Sequence, residues 1–106
     1  MNQNNSYKEY RDINLEITLK SGVSYPGVKC SLFYVYFQKY KDCDGCAVIY
    51  FSCINTIREG NQRIDPTDYS VFRDQQGRAW KVDHYEENSP PEPPGLIFYL
   101  IHEDQA

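Results

Sequence analysis

The chain is 106 residues long and carries 15 acidic against 11 basic side chains, a formal net charge of −4. That length fits one domain, and the acidity disfavours a nucleic-acid partner, because phosphate binding draws on clustered Lys and Arg. The longest apolar runs, residues 32–37 and 96–101, are far too short to cross a bilayer.

Residues 1–10 read as a mobile start, polar apart from Tyr7 and Tyr10 and lacking the apolar core of a signal peptide. Residues 11–102 form the expected single β domain, and residues 103–106 a polar tail. A cytoplasmic location is expected, where four cysteines are more at home as reduced thiols than as a disulfide frame.

Within the domain, Ile13, Leu15, Ile17 and Leu19 alternate with Asn14, Glu16, Thr18 and Lys20, the period of a half-buried strand. Ser21-Gly22 turns the chain. The return strand starts at Val23 and is interrupted at Pro26-Gly27, the pattern of an edge, a bulge or a sharp bend.

Residues 31–55, SLFYVYFQKYKDCDGCAVIYFSCIN, read as one aromatic-rich hairpin. Asp44-Gly45 is its turn signal, since a type I′ turn needs positive φ at both central residues. A turn there pairs Cys43 with Cys46 and sets Tyr36 opposite Cys53. Tyr34, Tyr36, Tyr40, Ala47, Ile49, Phe51 and Cys53 then share one face. Phe33, Val35, Phe37, Val48, Tyr50 and Ile54 share the other, and a slip of one residue exchanges the two.

Residues 55–68 are polar and turn-like; Asp65 as an N-cap and Pro66 at the first position offer a short helix ending at Gly77, but a second hairpin is the preferred reading. Asp74-Gln75-Gln76-Gly77 fits the type I turn of a second hairpin. Tyr69, Val71 and Arg73 run up to it and Arg78, Trp80 and Val82 run back, with Trp80 as a core anchor. NSPPEPPG, residues 88–95, is a Pro-rich loop, and residues 96–101 are the last strand. The expected class is all-β: about six antiparallel strands in a strongly bent sheet or small barrel, with room for one short helical turn.

The stretch LEITLKSGVSYPGV, residues 15–28, resembles the first motif of Sm-like proteins. Gly22 and Gly27 have that motif's spacing, with Tyr25 between them, and Ile57-Arg58-Glu59-Gly60 faintly resembles the second motif with Glu inserted. The Asp and Asn with which that family holds an RNA base have no counterparts in residues 30–36. The resemblance therefore implies a small bent barrel, Sm-like or SH3-like, and does not carry RNA binding with it.

Cys43-Asp44-Gly45-Cys46 is a CxxC, and two thiolates across a turn can hold one face of a tetrahedral zinc. Its second pair is missing in convincing form: Cys30 and Cys53 belong to no other CxxC, and His84 and His102 are distant in sequence. Free thiols or a reversible disulfide are the alternatives. A strand after the motif, rather than a helix, argues against redox use. His84 and His102 are the general-base candidates, and Asp83 should point to the face opposite its strand neighbour His84. No Gly-x-Ser-x-Gly elbow, phosphate-binding Gly loop, HExxH or EF-hand pattern is present, and no enzyme activity is expected.

The leading expectation is a small acidic module that binds another protein, as an inhibitor, an immunity-type factor or an adaptor of bacterial or phage type. Its contact face would be aromatic, built from Tyr34, Tyr36, Tyr40 and Tyr50, with Asp42 and Asp44 in an acidic rim. It would act as a monomer or homodimer without a cofactor. The other readings are a nucleic-acid-binding oligomer, resting on the Sm resemblance, a zinc-stabilised module using Cys43 and Cys46, and a small enzyme using His84 or His102.

Overall fold

The computed structural model describes residues 7–103. In chain order it contains β1 (Tyr7–Leu19), β2 (Ser24–Tyr40), β3 (Cys43–Tyr50), the short helix α1 (Phe51–Ile54), a small hairpin of β4 (Arg58–Glu59) and β5 (Gln62–Arg63), a 3-10 turn (Pro66–Asp68), β6 (Tyr69–Arg73), β7 (Ala79–Glu87) and β8 (Gly95–His102). The six longer strands close a barrel in the order β1-β2-β3-β8-β7-β6. Every pairing is antiparallel, and β6 returns to β1 through Ile17 opposite Phe72. Closure removes the open edges that a sheet of this size would otherwise expose.

Alternation does most of the sorting. Leu15, Ile17 and Leu19 of β1 point inward, as do Ala47 and Ile49 of β3 and Leu96, Phe98 and Leu100 of β8. Trp80 is the expected anchor, fully buried with Phe33 edge-on to its ring at 5.3 Å. Phe72 meets Phe98 at 5.1 Å, a second edge-to-face contact. The connection from β3 to β6 buries Ile54, Ile57 and Ile64 in the same core.

Pro26-Gly27 is a bulge. Leu15 pairs with Val28 and Ile17 with Tyr25, so two residues of β2 face Glu16 alone. Asp65 does cap the 3-10 turn, accepting from the Thr67 N–H at 2.9 Å. The second hairpin turns at 74–77 as expected, with the Gly77 N–H bonded to the Asp74 carbonyl at 3.0 Å.

Four expectations are corrected. Residues 7–10 belong to β1 and pair with β2, Tyr7 opposite Tyr36; the rest of the expected mobile start, residues 1–6, lies outside the described residues. The turn of the first long hairpin is Lys41-Asp42, not Asp44-Gly45, with φ of 54° and 63° and Tyr40 opposite Cys43. The turn type was legible, but its place was decided by burial: Gly45 is needed inside, against Trp80, and cannot sit in a loop. The register follows, so Phe33 pairs with Ala47 and Tyr34 with Cys46, and Phe33 shares the core face with Ala47 and Ile49. Finally, Phe51 and Cys53 lie in α1 and not on a strand face. Of the expected polar tail, Glu103 is described, its N–H bonded to the Ala79 carbonyl at 3.0 Å.

Candidate functional site

The outer face of β2, β3, β8 and β7 carries a cross-strand row. Tyr34 lies opposite Cys46, Cys46 opposite Tyr99, and Tyr99 opposite His84. Strand alternation puts all four on the side away from the barrel core. The His84 ring stacks on Tyr99 at 4.7 Å, and the Tyr99 hydroxyl donates to Glu86 at 2.5 Å.

An irregular stretch of β2 converts this row into a site. Val35 pairs with Gly45 and Tyr40 with Cys43, so residues 36–39 face Asp44 alone. The surplus chain bends the strand end over the outer face, as bulges do. Tyr36 lies parallel to Tyr34 at 6.5 Å and packs on Tyr40 at 5.3 Å. Beneath them Cys43, Cys46 and Tyr99 form a small buried cluster outside the barrel, with Tyr34, Tyr36 and Ile97 packed on it.

Two grooves flank this arm. One, of about 420 Å³, runs along Tyr7, Tyr34, Tyr36 and Tyr40. The other, of about 380 Å³, is floored by Leu32, Val48 and Ile97 and walled by Tyr36, Tyr50 and Glu92. At the arm's end Phe37 is 66 % exposed and Tyr40 51 % exposed. The Lys41 ammonium lies 5.5 Å from both the Tyr40 and Tyr99 rings.

The ionisable groups under the arm are held neutral. Burial, followed by the neighbouring Cys46, pushes the Tyr36 hydroxyl up, and burial with the Glu86 contact does the same to Tyr99. Burial pushes the Cys46 thiol up to about 12. The Cys43 thiol is raised by burial and then by the carboxylates of Asp83, Asp44 and Asp42.

Tyr34, Tyr36, Tyr40 and Tyr50 all line the grooves, with Tyr50 at the end of β3. Asp42 is exposed at the turn. Asp44 is a clamp: it accepts from the Lys39 ammonium and from the His102 N–H, each at 2.9 Å. Partial burial raises its carboxyl, but these two donors outweigh burial and hold it below the ordinary carboxylate range. Cys30 is a core thiol bonded to the Leu32 carbonyl at 3.0 Å, and Cys53 is half-buried. The His102 ring packs at a tilt on Trp80, with centroids 4.4 Å apart.

Sequence reasoning missed Tyr99, although its outward place in the alternation of residues 96–101 was there to be read. It also missed the pairing of Asp83 with His84. Val82 pairs with Leu100 and His84 with Tyr99, leaving Asp83 as an extra residue in β7. This bulge defeats the expected opposition of neighbours and sets the Asp83 carboxylate 2.7 Å from His84 Nδ1. Atoms of Cys43, Asp83 and His84 converge within 4.8 Å of one another, a group that does not include Cys46.

In comparison with known proteins, the chain matches no family model, no curated protein and no solved structure. The closed barrel agrees with the small-barrel expectation, and no family match stands behind the Sm-like likeness of residues 15–28. Among the described residues, no helix is long and apolar enough to cross a membrane.

Proposed function

We propose that this domain is a protein-binding module whose contact surface is the arm of β2 and the grooves beside it. One observation carries the reading: on the strand end of β2, Tyr40, 51 % exposed, lines both aromatic-walled grooves, and Phe37 beside it is 66 % exposed. Aromatic side chains with few rotamers to lose are the usual anchors of interfaces. Pairing of Val35 with Gly45 and of Tyr40 with Cys43 anchors both ends of the arm before binding, which lowers the ordering cost of association.

Charge selects the partner's chemistry. Asp42 lies at the turn and Glu92 on the rim of the second groove, in a chain of net charge −4. A segment with apolar side chains for the grooves and Lys or Arg for the rim is complementary. A nucleic acid fits poorly, because the nearby cations are already engaged, Lys39 with Asp44 and Lys41 over two rings. Inhibitor, immunity-type factor and adaptor are all uses of such a surface.

The test is affinity capture with the full chain, followed by cross-linking to locate the contact. Phe37→Ser, Tyr40→Ala and Asp42→Lys are each expected to weaken the captured partner's binding by roughly tenfold or more. Lys20→Ala, in the turn just past the far end of β1, is the control and should bind as the parent does. Equal binding by all the arm variants, or cross-links confined to another face, would reject the reading.

A further inference from the structure

We propose that Cys43, Asp83 and His84 form a binding site for one divalent transition-metal ion of the zinc class. Three donors of different chemistry, a thiol sulfur, a carboxylate oxygen and an imidazole nitrogen, come within 4.8 Å of one another from β3 and β7. A tetrahedral zinc with bonds of about 2.0–2.3 Å sets its ligand atoms roughly 3.3–3.8 Å apart. Seating an ion therefore takes side-chain shifts on the order of 1 Å, in which the Asp83 carboxylate and the His84 ring, now 2.7 Å apart, separate around it.

The site has a floor and an opening. Cys43 is fully buried and its thiol is free. The side chains of His84 and Asp83 are 48 % and 47 % exposed, so an ion can enter from solvent and keep a fourth position for water. The mixed sulfur, nitrogen and oxygen set favours zinc, cobalt or nickel over magnesium or calcium, which take oxygen ligands.

The supporting shell is already built. His84 is stacked on Tyr99, and Tyr99 is tied to Glu86 through its hydroxyl. The bulge at Asp83 places the carboxylate beside the imidazole, and bulges of this kind re-aim side chains next to functional sites. The charges bearing on the site are Asp42, Asp44 and Asp83 against Lys39, and Lys39 is already matched to Asp44. A cation relieves the remaining negative charge.

When the ion binds, the Cys43 S–H bond breaks, the proton passes to buffer, and the sulfur–metal bond forms. The Asp83–His84 hydrogen bond opens as their atoms turn to the ion, and His84 binds as the neutral imidazole through the ring nitrogen that carries no proton. No electron changes hands. The ion would link β3 to β7 across β8, a stitch that neither Cys43 nor Cys46 provides alone.

Cobalt(II) added to the reduced full chain tests this, read by thiolate-to-cobalt charge transfer in the near ultraviolet. A band that saturates at one ion per chain and is displaced by zinc is expected. Cys43→Ser should abolish the band. His84→Ala and Asp83→Asn should each weaken binding by roughly tenfold or more, and Cys46→Ser and Cys53→Ser should leave it unchanged. Because His84 is on the surface, its variant keeps the fold, which circular dichroism checks. Absence of a thiolate band, its persistence in Cys43→Ser, indifference to His84→Ala, or its loss in Cys46→Ser would overturn the assignment.

Discussion

The indole Nε1 of Trp80 donates to the Asp74 carboxylate at 3.1 Å, tying the largest core side chain to the turn of the second hairpin. Asp74 is only 8 % exposed. Its two oxygens also accept from the Gln76 and Arg78 N–H groups and from Arg78 Nε. One buried carboxylate thus serves a turn, a partly exposed guanidinium and a buried indole N–H that would otherwise lack a partner. Asp74→Ala is expected to destabilise the domain by about 2–4 kcal/mol, because it strands buried donors. Urea denaturation measures it, and a loss under about 1 kcal/mol would show that the network carries little net stability.

Gly45 serves Trp80 and not a turn. A Cβ there would stand 2.8 Å from the Tyr34 carbonyl and 2.9 Å from the Trp80 ring. Neither neighbour is the loose end of a flexible side chain. Gly45→Ala is therefore expected to cost about 1–3 kcal/mol through overpacking, and Gly45→Val more. An alanine variant as stable as the parent by thermal melting would mean the indole has room to retreat.

The Tyr69 hydroxyl is buried and has no hydrogen-bond partner among the described residues. Burial pushes its pKa up to about 12, as expected of a phenol that water does not reach. Tyr69→Phe keeps the ring against Phe98 and removes the stranded group. It should stabilise the domain by about 1 kcal/mol; a destabilised variant would reveal a partner for the oxygen.

Burial also raises the thiols of Cys30 and Cys46 from 9.0 to about 12. The folded values lie above the unfolded ones, so the stability these groups contribute is complete below about 9 and is lost as pH rises towards about 12. The unfolding free energy should fall steadily across that window, and more gently in Cys30→Ala. A thiol reagent at mildly alkaline pH should label Cys53, which is partly exposed, well before Cys30, Cys43 or Cys46. Rapid labelling of all four in the native state would contradict this burial.

Local pattern determined much of this protein. The alternation of Ile13 to Leu19, the Pro26-Gly27 interruption, the Asp65 cap and the turn at 74–77 each depend on neighbouring residues only, and each was readable from the sequence. So was the all-β class, whereas Tyr50, assigned by the misplaced turn to the face opposite Tyr34, Tyr36 and Tyr40, lines a groove with them only in the observed register. Tertiary structure decided the rest. Asp44-Gly45 is the better isolated turn, yet the core's need for a residue without a side chain beside Trp80 moved the turn to Lys41-Asp42 and with it the register of β2 on β3. The surplus at residues 36–39 and the extra Asp83 are defined only by what lies opposite them on another strand. Those two irregularities build the aromatic arm and bring Asp83 and His84 to Cys43. A periodicity of two cannot announce a residue inserted out of step, because the energy that tolerates it comes from packing across the barrel and not from the strand itself.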